Sequence, residues 1–187
     1  MERDYAYRPA GLLGVFSADW TLLSWTPAWA VLLGDPSART RVERNLVRAV
    51  VAVGPRGLAS WPVLQDGNAL NPALVADLRT ALVNYPRDRG LADLIDELRS
   101  TSAEFTRLWD KGAVGPHVSV RKTIVHPQVG EVTCDCDVLT VPGCDVRLVV
   151  YTVAAGSADA EKLDFLRVTN GVSADGSSPR GLRIDES

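Results

Sequence analysis

The side chains best suited to chemistry in this chain of 187 residues are three cysteines and two histidines: Cys134, Cys136, Cys144, His117 and His126. Thiolates and imidazoles are the ligands of structural zinc, so Cys134-Asp135-Cys136 beside two histidines invites a metal reading. The spacing argues against it. Residues i and i+2 of a strand share a face, but their side chains start ~6–7 Å apart, too wide for a disulfide and awkward for one tetrahedral ion. Cys144 adjoins the turn pair Pro142-Gly143, and pairing outward from that turn sets it about 13 Å from Cys136. The thiols read instead as small hydrophobes facing a core, and no metal or other cofactor is expected. An odd cysteine count builds no disulfide framework, in keeping with a reducing compartment.

Other catalytic patterns are missing from the sequence. Gly156-Ser157-Ala158 follows a strand pattern without the residues that flank a nucleophile elbow. Neither a Walker loop, a dinucleotide glycine fingerprint nor a His pair at helical spacing occurs. His117 lies in a Gly-Pro loop and His126 precedes a proline, so both read as hydrogen-bonded structural or surface residues. The chain is not expected to be an enzyme.

Large aromatics are the stronger signal. Trp25, Trp29, Trp61, Phe105 and Trp109 crowd the helical part of the chain. They serve either plain core packing or the walls of a concave apolar pocket, because small-molecule sites are mostly aromatic and aliphatic with a few polar anchors. Arg79 follows Leu78 beside an inward stripe, where it pairs either with a ligand carboxylate or with a nearby Asp or Glu. Asn45 borders its own stripe in the same way, or holds loop backbone.

These residues must be positioned by a chain of ordinary globular composition, 46% hydrophobic and 23% charged, of a length that fits one domain. Lys plus Arg is 20 against 23 Asp plus Glu, a net charge of −3. Gripping nucleic acid rests on neutralising phosphates, so an acidic chain without a basic stripe is not expected to bind DNA directly. The longest apolar runs, Arg147 to Ala155 and Arg48 to Gly54, fall far short of the ~18–20 residues of a membrane span. Met1-Glu2-Arg3-Asp4 offers no secretory core, and a cytoplasmic protein is expected. The excess of 17 Arg over 3 Lys fits a GC-rich bacterial coding sequence.

Along the chain, Leu12 to Phe16, the turn Ser17-Ala18-Asp19 and Trp20 to Trp25 predict a hairpin. Thr26-Pro27 starts a helix that Gly34-Asp35-Pro36 ends. Val42, Leu46, Ala49, Val50 and Val53 repeat at helical spacing, and Gly54 to Leu70 reads as a long loop pinned by Trp61. Asn71-Pro72 opens a helix with Leu74, Leu78, Ala81 and Leu82 inward. Leu91 to Trp109 keeps one apolar face over two helices that meet near Ser100, since Thr101-Ser102-Ala103-Glu104 has capping-box spacing. From Val118 onward the period is two. Val118 to Val125, Glu131 to Leu139 and Asp145 to Ala154 form a meander, with Val132, Cys134, Cys136 and Val138 on one face. Ala158 to Val168 is a last helix with Leu163 and Leu166 inward and Phe165 a third inward candidate. The first hairpin must join the meander to bury its apolar face. The result is an α+β, PAS-like five-stranded antiparallel sheet with helices packed on one face. Residues 1–8 form an N-terminal extension, 9–168 the domain and 169–187 a flexible tail.

Seven motifs stand in the order and spacing of a known family: Asp19-Trp20-Thr21-Leu22-Leu23-Ser24-Trp25; Gly34-Asp35; Arg44-Asn45-Leu46; Ala76-Asp77-Leu78-Arg79; Ser102-Ala103-Glu104-Phe105 with Leu108-Trp109; His126-Pro127 with Val129-Gly130; and Val149-Val150-Tyr151-Thr152 with Gly156-Ser157. From Pro9 to Leu166 the chain resembles the ligand-binding domain of MmyB-like transcriptional regulators. The resemblance implies effector sensing, with fatty-acyl or other elongated apolar molecules as ligands and DNA bound through a helix-turn-helix outside this chain. Thr26 stands where the family has Asn, and Cys134 and Cys136 are smaller than its usual apolar or aromatic residues, which enlarges the space above the sheet. The expected ligand site joins Trp29, Leu46, Val50, Leu78, Arg79, Phe105 and Trp109 to a sheet face of Cys136, Val138 and Val150. The rival reading is a ligand-free docking or dimerisation module, a homodimer built on exposed aromatics near Trp20 or Trp61.

Overall fold

A computed structural model describes residues 7–51, 63–64, 72–112, 120–140 and 143–172. The chain opens with strand β1 (Tyr7–Ser17), which turns through Ser17 and Asp19 into β2 (Leu22–Trp25). Asp19 holds that turn by accepting from Thr21 N and Thr21 Oγ1 at 3.2 and 3.0 Å. Thr26 then caps helix α1 (Pro27–Leu33): its Oγ1 accepts from Trp29 N at 3.3 Å and from Leu13 N at 3.2 Å, tying helix start to strand. Gly34, at φ 89, ends the helix in a conformation that L side chains avoid.

Helix α2 (Leu46–Val51) begins four residues later than the apolar spacing predicts. Val42 lies in a turn and is 56% exposed. The reason is Asn45, whose Oδ1 accepts from Arg48 N at 3.0 Å and so fixes the first turn. Its Nδ2 donates to Asp19 O and Thr21 Oγ1 at 2.8 and 3.1 Å, so this buried amide holds loop backbone. Val63–Leu64, in the stretch read as loop, forms a short strand, β3. The proposed anchor Trp61, the cap Asn71, His117, Val53, Val118 and the tail beyond 172 lie outside the described residues.

Three helices follow: α3 (Pro72–Asn84), α4 (Arg89–Thr101) and α5 (Ala103–Asp110). The break between the last two falls at Ser102, whose extended backbone (φ −134, ψ 111) leaves the helix while its Oγ caps Phe105 N at 3.1 Å. The meander is β4 (Val120–His126), β5 (Gly130–Thr140) and β6 (Val146–Ala154), and α6 (Ala158–Thr169) closes the described chain. Phe165, an inward candidate, is 55% exposed, whereas Leu163 and Leu166 are buried.

The strands form one antiparallel sheet in the order β2-β1-β6-β5-β4-β3, the expected five with two-residue β3 added at the edge. Register decides which face each residue takes. Leu12 pairs with Tyr151, Tyr151 with Cys136 and Val149 with Val138, and this row is the buried one. Val150 pairs with Asp137 and Leu13, so it belongs to the opposite face and cannot share a wall with Cys136 and Val138. Helix α1 packs on β1 and β4, and α6 on β5, β6 and α1.

Close approach of α1 to the sheet requires Gly14. A Cβ there would lie 3.1 Å from Trp29 Nε1, 3.1 Å from a ring carbon of Phe16 and 3.3 Å from Leu22. All three side chains are fully buried and cannot yield cheaply. Gly14→Ala is therefore expected to lower stability by about 1–3 kcal/mol, read as a lower urea midpoint at unchanged slope; an unchanged midpoint contradicts this packing.

Candidate functional site

The aromatic residues singled out in the sequence divide between core and rim. Trp29, Leu78 and Phe105 are completely buried and belong to one hydrophobic cluster. Leu46, Val50, Val138 and Trp109 are partly buried and pack against it. Trp109 stacks on Phe105 with ring centroids 5.7 Å apart at 21°. On its other partner side, the Arg79 guanidinium sits 4.9 Å from the Trp109 centroid, a cation–π contact between α3 and α5.

Arg79 is the charged member of the predicted set, and its bonding is incomplete. Its Nε is buried and makes no hydrogen bond, and no described carboxylate pairs with it. The salt-bridge alternative for this residue therefore does not operate in this structure. A charged donor in that state costs free energy until an acceptor reaches it. Arg44 is a parallel case, 5.9 Å over Trp25 with a buried, unbonded Nε.

Trp20 is the opposite of the exposed aromatic that a docking patch would need. It is 1% exposed, with its Nε1 donating to Asp77 at 3.0 Å, its ring 5.6 Å from Phe16 and the Arg147 guanidinium 5.3 Å above it. The dimer patch imagined around Trp20 is thus removed. Asp77 and Arg147, 2.8 Å apart, escaped the sequence reading because they are 70 residues apart and neither lies on an apolar stripe.

The floor below the helices is Cys134, Cys136, Val138 and Tyr151. His126 closes one edge: its Nε2 lies 3.1 Å from Val31 O and its Nδ1 accepts from Gln128 N at 3.2 Å, which places the proton on Nε2. Above that floor, the buried Trp29, Leu78 and Phe105 belong to the same hydrophobic cluster as Cys134, Cys136 and Tyr151. A cleft of about 90 Å³ opens elsewhere, between Thr80, Ala81 and Asn84 of α3 and the β5–β6 turn at Thr140, Cys144 and Val146. That is well below the ~300–1,000 Å³ of a typical ligand pocket.

Burial pushes the Cys134 thiol up to about 12 and that of Cys136 up to about 11, while Cys144 is exposed. At pH 8 one thiol should react with a disulfide reagent before unfolding and two only after it; fast reaction of all three contradicts the buried floor. The folded values exceed the ordinary 9.0, so the unfolded chain releases these protons first. Stability should hold below about pH 9 and fall as pH rises from 9 to about 12.

No curated protein matches the chain. The family description that does match, over residues 12–166, is the MmyB-like transcription regulator ligand binding domain. That span contains the capped helices, the antiparallel sheet, the Arg79–Trp109 stack and the thiol floor. The chain belongs to the MmyB-like transcription regulator ligand binding domain family.

Proposed function

We propose that this domain senses an elongated apolar acid of the fatty-acyl type, and that Arg79 receives its carboxylate while Leu46, Val50, Leu78, Phe105, Trp109 and the Cys136–Val138 floor contact its chain. The observation that carries this reading is Arg79: a guanidinium stacked on an indole, with a buried Nε that no described acceptor satisfies. Two parallel N–H···O bonds from Arg to a carboxylate are strong and directional. The surrounding side chains supply apolar area for a hydrocarbon tail.

Trp29, Leu78 and Phe105 are fully buried, so such a ligand reaches them only as the helical layer shifts. The bound state is a second arrangement of that layer. A ligand that binds this arrangement better shifts the population toward it, and that shift is the signal passed to the rest of a regulator. Apparent affinity falls by the fraction of molecules that are open, which makes the cost of opening part of the sensor's threshold. A DNA-binding segment elsewhere then reads the state; this acidic domain reads the effector. No helix among the described residues is long and apolar enough to cross a membrane.

A thermal-shift series with C8 to C16 acids and the matching alcohols tests this. Ligand at a hundred times Kd stabilises by about 2.7 kcal/mol, or about 5–10 °C in a domain of this size. Acids should outperform alcohols in the wild type. Arg79→Ala should weaken acid binding about 10–100-fold and erase that preference, with Arg79→Lys between the two. Equal response to acids and alcohols, or an unaffected Arg79→Ala, would remove Arg79 from the site; no stabilisation by any member would remove the acyl-acid reading.

A further inference from the structure

Helix α3 makes charged contacts on two nearly opposite sides. Successive helical residues turn by about 100°, so Asp77 and Arg79 point roughly 200° apart. On one side Asp77 accepts from Trp20 Nε1 at 3.0 Å and from Arg147 Nε at 2.8 Å. On the other, the Arg79 guanidinium lies 4.9 Å from the Trp109 centroid. The helix packs on α4 and α5, while Asp77 reaches the β1–β2 turn and the second residue of β6. It is thus held between α5 and one end of the sheet.

The Asp77 side has little slack. Trp20 is 1% exposed, its carbonyl accepts from Leu46 N at 2.9 Å, and its backbone is left-handed at φ 64. A bulky residue keeps such a backbone only where its surroundings enforce it. The Asp77 bonds also have a short reach: stretched by about 0.5 Å, an N–H···O bond of this length leaves the bonding range. A hydrocarbon chain laid between packed side chains needs about 3.5–4 Å to the atoms on each side. Room for an acyl tail beside Arg79 therefore calls for a larger displacement than these bonds tolerate, if α3 is the element that yields.

We propose that the Asp77–Trp20–Arg147 junction is the latch of the sensor, bonded in the acid-free arrangement and released in the acid-bound one. This rests on the acyl-acid reading above and adds its regulation. Apparent Kd is the intrinsic Kd divided by the open fraction, so bonds made only in the closed state raise the threshold for the acid. Asp77 is a positioning residue, acting on α3 and not on the acid. Release also gives the signal a route. It frees the strained Trp20 backbone, whose carbonyl holds the start of α2, so the β1–β2 turn and α2 carry the effect of the acid away from its site.

Isothermal titration of the full chain with decanoate, joined to side-chain ¹H–¹⁵N spectra, tests the latch. In the wild type, saturating decanoate should move the Trp20 indole and Arg147 Nε–H signals. Asp77→Asn keeps an acceptor for Trp20 but removes the charge that holds Arg147, and Trp20→Phe keeps a ring but removes the indole donor. Each should tighten decanoate binding about 3–10-fold, the worth of one hydrogen bond lost from the closed state, while lowering the urea midpoint. A merely structural junction would lower the midpoint and leave affinity unchanged or weaker. If neither variant folds, the wild-type Trp20 and Arg147 signals decide. Decanoate that binds and moves Trp109 but leaves Trp20 and Arg147 in place, as when α5 yields instead of α3, overturns the latch alone, and so does unchanged or weaker binding by a folded variant. Failure of decanoate to bind the wild type overturns the acyl-acid reading and the latch together.

Discussion

One carboxylate fastens the helical layer to the sheet. Asp77 of α3 accepts from Trp20 Nε1 at 3.0 Å and from Arg147 Nε at 2.8 Å. Arg147 lies over the Trp20 ring and donates to Ser17 O at 3.3 Å, so the turn after β1, the start of β6 and α3 converge on one indole. Trp20 itself has φ 64, a left-handed backbone that costs a bulky L residue ~1–2 kcal/mol. Such a conformation persists only where surrounding contacts over-determine it. Here the tilted ring contact with Phe16, the Asp77 bond and the Leu46 N–H to Trp20 O bond of 2.9 Å do so, the last adding α2 to the junction.

The position of Arg79 follows from that tie. Residues i and i+2 of a helix point to different sides, so anchoring Asp77 toward Trp20 and Arg147 sends Arg79 toward α5, where it meets Trp109. The same helix therefore carries the fastening and the unsatisfied cation. In the proposed sensing mechanism, any movement of α3 that makes room beside Arg79 also works against the Asp77 junction with Trp20 and Arg147. Charge in this protein is thus used in two ways: the Asp77–Arg147 pair fixes the layers, and the Arg79 guanidinium stacks on Trp109 with a buried Nε that no described acceptor satisfies.

Much of this architecture was legible because its determinants are local. Thr26-Pro27 and Ser102 start helices through their own side chains, and the break between α4 and α5 falls two residues from where the spacing placed it. Strict alternation in β5 put Cys134 and Cys136 on the buried face. The failures have physical causes too. Strand β6 is apolar on both faces, so its alternation had no phase, and only pairing with β5 shows Val149 inward and Val150 outward. Val42 fits a helical stripe, but the Asn45 cap sets the start of α2. Two residues of β3 are too few to carry a pattern. The Asp77–Arg147 pair and the stack of Arg79 on Trp109 join residues distant in sequence, and no local rule encodes them.

An acid held at the junction of Arg79 and Trp109 must be felt first by their side-chain N–H groups. The most direct measurement is a ¹H–¹⁵N spectrum of the arginine Nε–H and indole Nε1–H groups during titration with decanoate. Binding at this junction gives saturable movement of the Arg79 and Trp109 signals with one acid bound per chain. Saturating acid that leaves both signals in place, or that moves only backbone amides of the outward row at Leu13 and Val150, would contradict it.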